Sequence, residues 1–293
     1  MPGRKLLTKV GPPVAFLLPV AALIGVLRVW PLEEAVRLSF TNWDGFSPPR
    51  GVGFANYREL WHDEAFRQVL LNNLKILAAL PLFVATPFLV AAALQSRIPG
   101  WSLYRAAFFF PTLISPAIIG LTFNVVLKSD GGLNTVLHDI GLDSLRRDWL
   151  VDPTWALIWV ILVIAWALIG VGTVIFLAAM GTVDASLIDA AKIDGASWWR
   201  VQRSVVFWQI LPVIELWTVL VLIATFTQFF PLILTLTNGG PGHDSGTADL
   251  YVYQEAYSNF RNGYASAASV VIFVITVVFL GAFMGLFRWM RTR

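Results

Sequence analysis

The sequence predicts an all-α polytopic membrane protein with six transmembrane helices, and three observations carry that prediction. The 293 residues are 57% hydrophobic and 13% charged, with a mean hydropathy of +0.70; an average soluble domain carries about 25% charged residues. Six apolar runs approach the ~20 residues a helix needs to cross a hydrocarbon core about 30 Å thick. No run shows the alternating ten-residue pattern of a membrane β-barrel, so backbone satisfaction in lipid leaves a helical bundle.

The first run is Val14–Trp30 (span 14–31), broken only by Arg28, which can snorkel from its outer end. Its basic start fits a signal peptide, but no A-x-A site follows, so it is expected to stay as the first helix. The second is Ile76–Leu94, extended back toward Val69 (span 69–95). The third is Ala106–Leu127 (105–127) and the fourth Trp155–Met180 (154–181). The fifth is Leu216–Leu236 (213–236) and the sixth Ala265–Phe287 (264–288). With no internal repeat and no linker, residues 1–293 form one membrane domain.

An even number of spans puts both termini on one side. Arg4, Lys5 and Lys9 mark one end, Arg288, Arg291 and Arg293 the other. The short connections 97–105 and 192–203 are also basic, whereas the longer loops 31–68, 128–153 and 237–263 hold most of the acids. Both termini are therefore expected in the cytoplasm.

Several functions lack their residues. The net charge of +3 comes without a basic stripe, so no nucleic acid is expected as partner. The absence of cysteine excludes disulfides, thiolate metal sites and a Cys nucleophile. His62, His138 and His243 lie far apart in polar segments and are expected to be solvated; no metal or cofactor is expected. There is no phosphate loop, no H-E-x-x-H and no G-x-S-x-G. Arg28, Lys75 and Glu215 sit only at span ends, whereas an ion-coupled carrier usually keeps an ionisable group near the midplane. A polytopic enzyme and an autonomous channel or carrier are thus the weaker alternatives.

The polar residues inside the spans are uncharged: Asn72, Asn73, Asn124, Thr225, Thr227 and Gln228. Two roles are open to them, helix–helix hydrogen bonding or the lining of a path for a neutral, hydroxyl-rich solute. Asn124, Thr225, Thr227, Gln228 and Phe229 are the candidate pathway residues.

Between spans four and five lies a cytoplasmic loop, 182–212, containing "IDAAKIDGAS" (188–197). Asp184 or Ser186 can cap a short helix there, and Gly195 supplies the positive φ that ends one. Ser197 can cap the next helix. The small residues permit close approach, and Asp189 offers a charge to a basic partner. This composition predicts a docking helix outside the membrane.

The stretch "DAAKIDGASWW" resembles the E-A-A-x-x-x-G loop in membrane subunits of bacterial ATP-driven importers that work with a solute-binding protein. "LSFTNWDGF" (38–46), "GFANYREL" (53–60), "NNLKILAALPL" (72–82), "RAAFFFPTLISP" (105–116), "LTNGGPG" (236–242) and "VYQEAYSNFRNGYASAAS" (252–269) resemble the carbohydrate branch, in order across nearly the whole chain. The resemblance implies a non-enzymatic sugar permease in the bacterial inner membrane. A glycerol phosphate or polyol permease is the alternative. It implies a second, different permease subunit, two copies of an ATP-binding subunit and an extracytoplasmic binding protein as partners, within the lipid bilayer. Asp189, Ala190, Ala191, Asp194, Gly195 and Ala196 would couple to the ATPase as a coupling helix. Asn238, Gly239, Gly240 and Pro241 would face the binding protein. Three departures stand out: Asp189 replaces the family's Glu, Asp184 stands where a Pro is common, and Phe207–Trp208 replace a Leu-Pro pair.

Overall fold

The structure, a computed structural model describing residues 17–96 and 99–291, is almost wholly helical. The only strand-like pairing among these residues is an isolated antiparallel bridge between Thr41 and Gly51. The chain divides into two units, 1–62 with 252–273 and 63–251 with 274–293.

In the first unit, residues 17–24 are helical and pass through a π turn, Gly25–Val29, into α1, Trp30–Leu38. The start of the first predicted span, before residue 17, lies outside the described residues. A turn follows in which Asp44 accepts the N–H groups of Phe46 and Ser47, at 2.9 and 2.7 Å. On α2, Ala55–His62, the buried Asn56 donates to the carbonyls of Ser39 and Thr41, both at 2.8 Å. Arg261 pairs with Glu59 and Glu255 and lies 4.0 Å over the Tyr264 ring.

The second unit begins with α3, Glu64–Ala78, and α4, Leu80–Gln95, capped by the Asp63 carboxylate on Phe66 N–H. Then come α5, Trp101–Phe109, a 3₁₀ turn, and α6, Pro116–Leu127. Next are α7, Gly132–Asp139, the long α8, Pro153–Met180, and α9, Ala185–Ile193. The short α10, Trp198–Val201, and α11, Phe207–Gln209, lead into α12, Leu211–Thr227. Helices α13, Phe230–Leu236, and α14, Ala248–Tyr253, precede the last helix, α15, Asn262–Arg291.

Among the described residues, Glu64–Gln95, Pro153–Met180 and Asn262–Met290 are long and apolar enough to cross a membrane. Two bent pairs bring the number to five if each pair counts as one span: Trp101–Leu113 with Pro116–Asp139, at 101°, and Trp198–Gln209 with Leu211–Thr227, at 77°.

Prolines set the interruptions. A proline has no N–H to donate and disfavours helical backbone at the residue before it. Ser115, before Pro116, is extended at ψ 138°. The apolar run 213–236 is not one helix either: α12 stops at Thr227 and α13 restarts around Pro231.

Inside α4, Pro87 removes the amide that would bond the Phe83 carbonyl. Trp217 on α12 donates its Nε1–H to that carbonyl at 3.1 Å. Phe83 and Phe176 are fully enclosed here, with Phe176 edge-on to both Trp217 and Phe88. A Cβ on Gly172 of α8 would stand 2.7 Å from Pro87 Cβ and 2.9 Å from Trp217 Cζ2, so the close approach of α8 requires glycine.

Trp217→Phe keeps an aromatic ring but leaves the Phe83 carbonyl without its donor, a loss of about 1–3 kcal/mol. The thermal midpoint in detergent is expected to fall. Adding Pro87→Ala, which restores an N–H at residue 87, is expected to recover part of it. No recovery would mean that Trp217 acts through ring volume alone.

Candidate functional site

Helix α9 is defined at both ends by its own sequence. Asp184 is the cap, its Oδ1 accepting the Ser186 N–H at 2.9 Å. At the other end Asp194 closes the helix and Gly195 takes φ +76°. Gly195 N–H then bonds Lys192 O at 3.0 Å and Ala196 N–H bonds Ala191 O at 2.9 Å. This crossed pair is the Schellman stop. A Cβ at Gly195 would meet nothing within 4 Å, so the requirement is backbone conformation and not space.

The helix buries none of its residues: Ile193 is 86% exposed and Leu187 42%. Ala190 is exposed and Ala191 half-buried. Asp189 pairs with Lys192 at 3.1 Å, both side chains largely in solvent. Such a pair adds little to stability, so Asp189 remains open to another cation. The following segment is anchored: Ser197 caps α10, and Trp198 Nε1–H donates to Ser96 at the end of α4, at 3.1 Å. Between α9 and these anchors lies a cleft of about 410 Å³, bordered by Gln95, Ile188, Asp189, Lys192 and Gln202.

The pathway candidates are distributed around the α12–α13 break. Thr225 is fully buried, its hydroxyl bonded to the Val221 carbonyl. Thr227 and Gln228 are exposed at the break itself, while Phe229 is buried. Asn124 on α6 donates to the Leu236 carbonyl at the end of α13, at 2.7 Å. Its amide thus joins two helices, the first of the two roles open from sequence. Asn72 and Asn73 are likewise engaged. Asn72 donates to the carbonyls of His243 and Gly246, and Asn73 donates to that of Thr225 and accepts from Ala248 N–H.

The segment after α13 folds back on itself. Asn238 and Gly239 take positive φ, 51° and 82°, and the Gly240–Pro241 bond is cis. Ser245 donates to the Gly240 carbonyl, and Gln68 donates to Asp244. Asn238 is exposed, Gly239 buried. Two features escape sequence reasoning: the helix break, for which Pro231 is the available signal, and Asp249. Asp249 takes the N–H groups of Phe230 and Leu250, at 2.8 and 2.9 Å, and the Thr247 hydroxyl. Burial pushes its carboxyl above the ordinary range, against the pull of these donors.

An exposed capped helix thus lies beside a bundle of broken apolar spans. Residues 49–292 match the family described as binding-protein-dependent transport system inner membrane component, and the chain belongs to it. It is an ABC-importer permease, a transport subunit of the inner membrane. It is 35% identical to the probable ABC transporter permease protein YurN of Bacillus subtilis, over 90% of this chain and 92% of that one. It is 32% identical to the diacetylchitobiose uptake system permease protein NgcF of Streptomyces coelicolor, over 91% and 79%. The fold matches a chain in the crystal structure of a bacterial ABC transporter importing the acidic polysaccharide alginate. The TM-score is 0.81 at 23% identity, over 97% of both chains.

The N–H of Ser186 holds the Asp184 carboxyl below its ordinary value of 3.8. A carboxyl lowered by folding stabilises above its unfolded pKa, and the gain is lost as pH falls through the folded value. Asp184→Ala is expected to reduce the hydrogen-exchange protection of α9 several-fold at pH 7. The difference between the variant and the parent is expected to shrink as pH falls below 3.8 and through the folded value.

Proposed function

We propose that this chain forms one half of the translocation pathway of a sugar importer and couples to a separate ATPase through α9. The observation that carries the proposal is α9 itself: a helix capped by Asp184, stopped at Gly195 and without a buried residue. A helix that gains nothing from its own chain's core is suited to a groove on another subunit. Asp189, Ala190, Ala191, Asp194, Gly195 and Ala196 form the docking surface, with Asp189 exchanging Lys192 for a cation of the ATPase. Closure of two ATP-loaded subunits moves the docked helices, and ATP supplies the bias because it binds the closed state better.

One docking helix per chain, against two grooves on a two-site ATPase, calls for a second, related permease as partner. An extracytoplasmic binding protein delivers solute to the segment Asn238–Pro241, and both termini face the cytoplasm. Asn124, Thr225, Thr227, Gln228 and Phe229 contribute to the path. Their uncharged side chains suit a neutral sugar better than a phosphate-bearing solute. Diacetylchitobiose uptake by the system of the relative NgcF supports the same substrate class.

The assembled importer tests the proposal. Asp189→Lys and Gly195→Val are each expected to reduce binding-protein-stimulated ATP hydrolysis by roughly tenfold or more. Membrane insertion and thermal midpoint are expected to hold, because α9 is not part of the packed interior. Full coupling in both variants would rule out docking through α9. The chain reconstituted alone is expected to move no labelled sugar; uptake by the chain alone would favour a carrier.

A further inference from the structure

The break between α12 and α13 is tied to the loop that follows it by side chains that replace missing helical hydrogen bonds. Had α12 continued, Phe229 N–H would bond the Thr225 carbonyl and Phe230 N–H the Phe226 carbonyl. Instead, Asp249 accepts the Phe230 N–H at 2.8 Å. The Thr225 carbonyl takes the Asn73 amide at 2.5 Å. Asn73 uses the other end of its amide to accept Ala248 N–H, at 2.8 Å, next to Asp249 in the chain. Thr247 donates to Asp249 at 2.5 Å. Asn72, one residue from Asn73, holds the carbonyls of His243 and Gly246 at 2.8 and 3.0 Å. Asn72, Asn73, Thr225 and Thr247 are all fully buried.

Two arrangements of the same backbone therefore compete. In one, Asp249 and Asn73 hold the break open, with Thr227 and Gln228 exposed. In the other, residues 229 and 230 rejoin α12 as far as Pro231, which cannot donate. Bonds to a carboxylate are stronger than neutral ones, which favours the open break while the loop stays in place. Withdrawing the loop removes the carboxylate and returns the Phe230 N–H to the helix, with the Thr225 carbonyl freed for that of Phe229.

We propose that Asp249 and Asn73 are positioning residues. They form the joint through which loop 237–249 sets the α12–α13 break, so that docking of a binding protein on the loop is transmitted to Thr227 and Gln228. The proposal rests on the importer assignment for its trigger and on the hydrogen-bond geometry for its mechanism. It makes the break a two-state element biased from outside.

The chain has no cysteine, so a single Gln228→Cys reports on the break in the assembled importer. With Asp249 intact, adding the binding protein is expected to change the maleimide labelling rate at residue 228 by about fivefold or more. Asp249→Asn is expected to abolish that response while binding-protein affinity stays within about twofold. Thr247→Val, a milder change that removes one donor to the carboxylate, is expected to weaken the response, and Thr247→Ser to restore it. A full response in Asp249→Asn overturns the proposal. So does a loss of response that tracks a loss of affinity, which would make Asp249 part of the docking surface.

If no binding protein stimulates ATP hydrolysis in the parent importer, the importer assignment fails separately. Hydrogen exchange on the purified chain then decides the joint. Asp249→Asn is expected to raise exchange together in 226–231 and 243–249. A rise confined to one segment overturns the joint.

Discussion

A backbone carbonyl deprived of its helical partner inside a bilayer has no water to turn to, and this chain satisfies four such carbonyls from distant elements. Trp217 reaches the Phe83 carbonyl freed by Pro87. Asn73 reaches Thr225, Asn124 reaches Leu236, and Gln95 reaches Met180. The donors lie 85 to 152 residues away in sequence. An unsatisfied polar group in lipid costs several kcal/mol, so these bonds decide which helices pair and in what register. The apolar contacts then follow. Phe83, Phe88 and Phe176 pack around the Trp217–Pro87 contact, and Gly172 lets α8 close over it.

The same constraint divides the two ends of the candidate site. At the α12–α13 break the Thr225 carbonyl and the Phe230 N–H are taken by the side chains of Asn73 and Asp249, and the break is tied into its surroundings. At α9 the freed groups are satisfied locally, by Asp184 at one end and by the Gly195 turn at the other. One region is bonded across the fold. The other is complete in itself and leaves its faces to solvent.

Much of this was legible in the chain, and the illegible part has a physical pattern. The apolar runs near 76–94, 155–180 and 265–287 are helices because length and hydrophobicity alone decide such segments. The cap at Asp184 and the stop at Gly195 were readable because capping chemistry is local. The runs at 106–127 and 216–236 hid their breaks behind uniform hydropathy, although Pro116 and Pro231 marked them. Asn73 and Asp249 were not legible as a pair. One sits in an apolar run and the other in a polar loop, 176 positions apart in the sequence, and only the fold brings both to the α12–α13 break. Asn124 illustrates a further limit: sequence offered it two roles, and the bond to Leu236 gives it a partner without excluding a solute beside it.

The isolation of α9 has an evolutionary consequence. A residue in a packed core is judged by its own fold, and a poor fit is removed as an unstable protein. Residues on α9 face no such judge within the chain, because Ile193, Ala190 and Asp189 touch almost nothing of it. If α9 docks on an ATPase as proposed, drift at those positions would leave a stable, correctly inserted protein and alter only which ATPase accepts it. In a cell holding several importers of this kind, that short exposed surface would then be where subunits are kept from joining the wrong engine. The aspartate at 189 would then be a mark of pairing and not of folding.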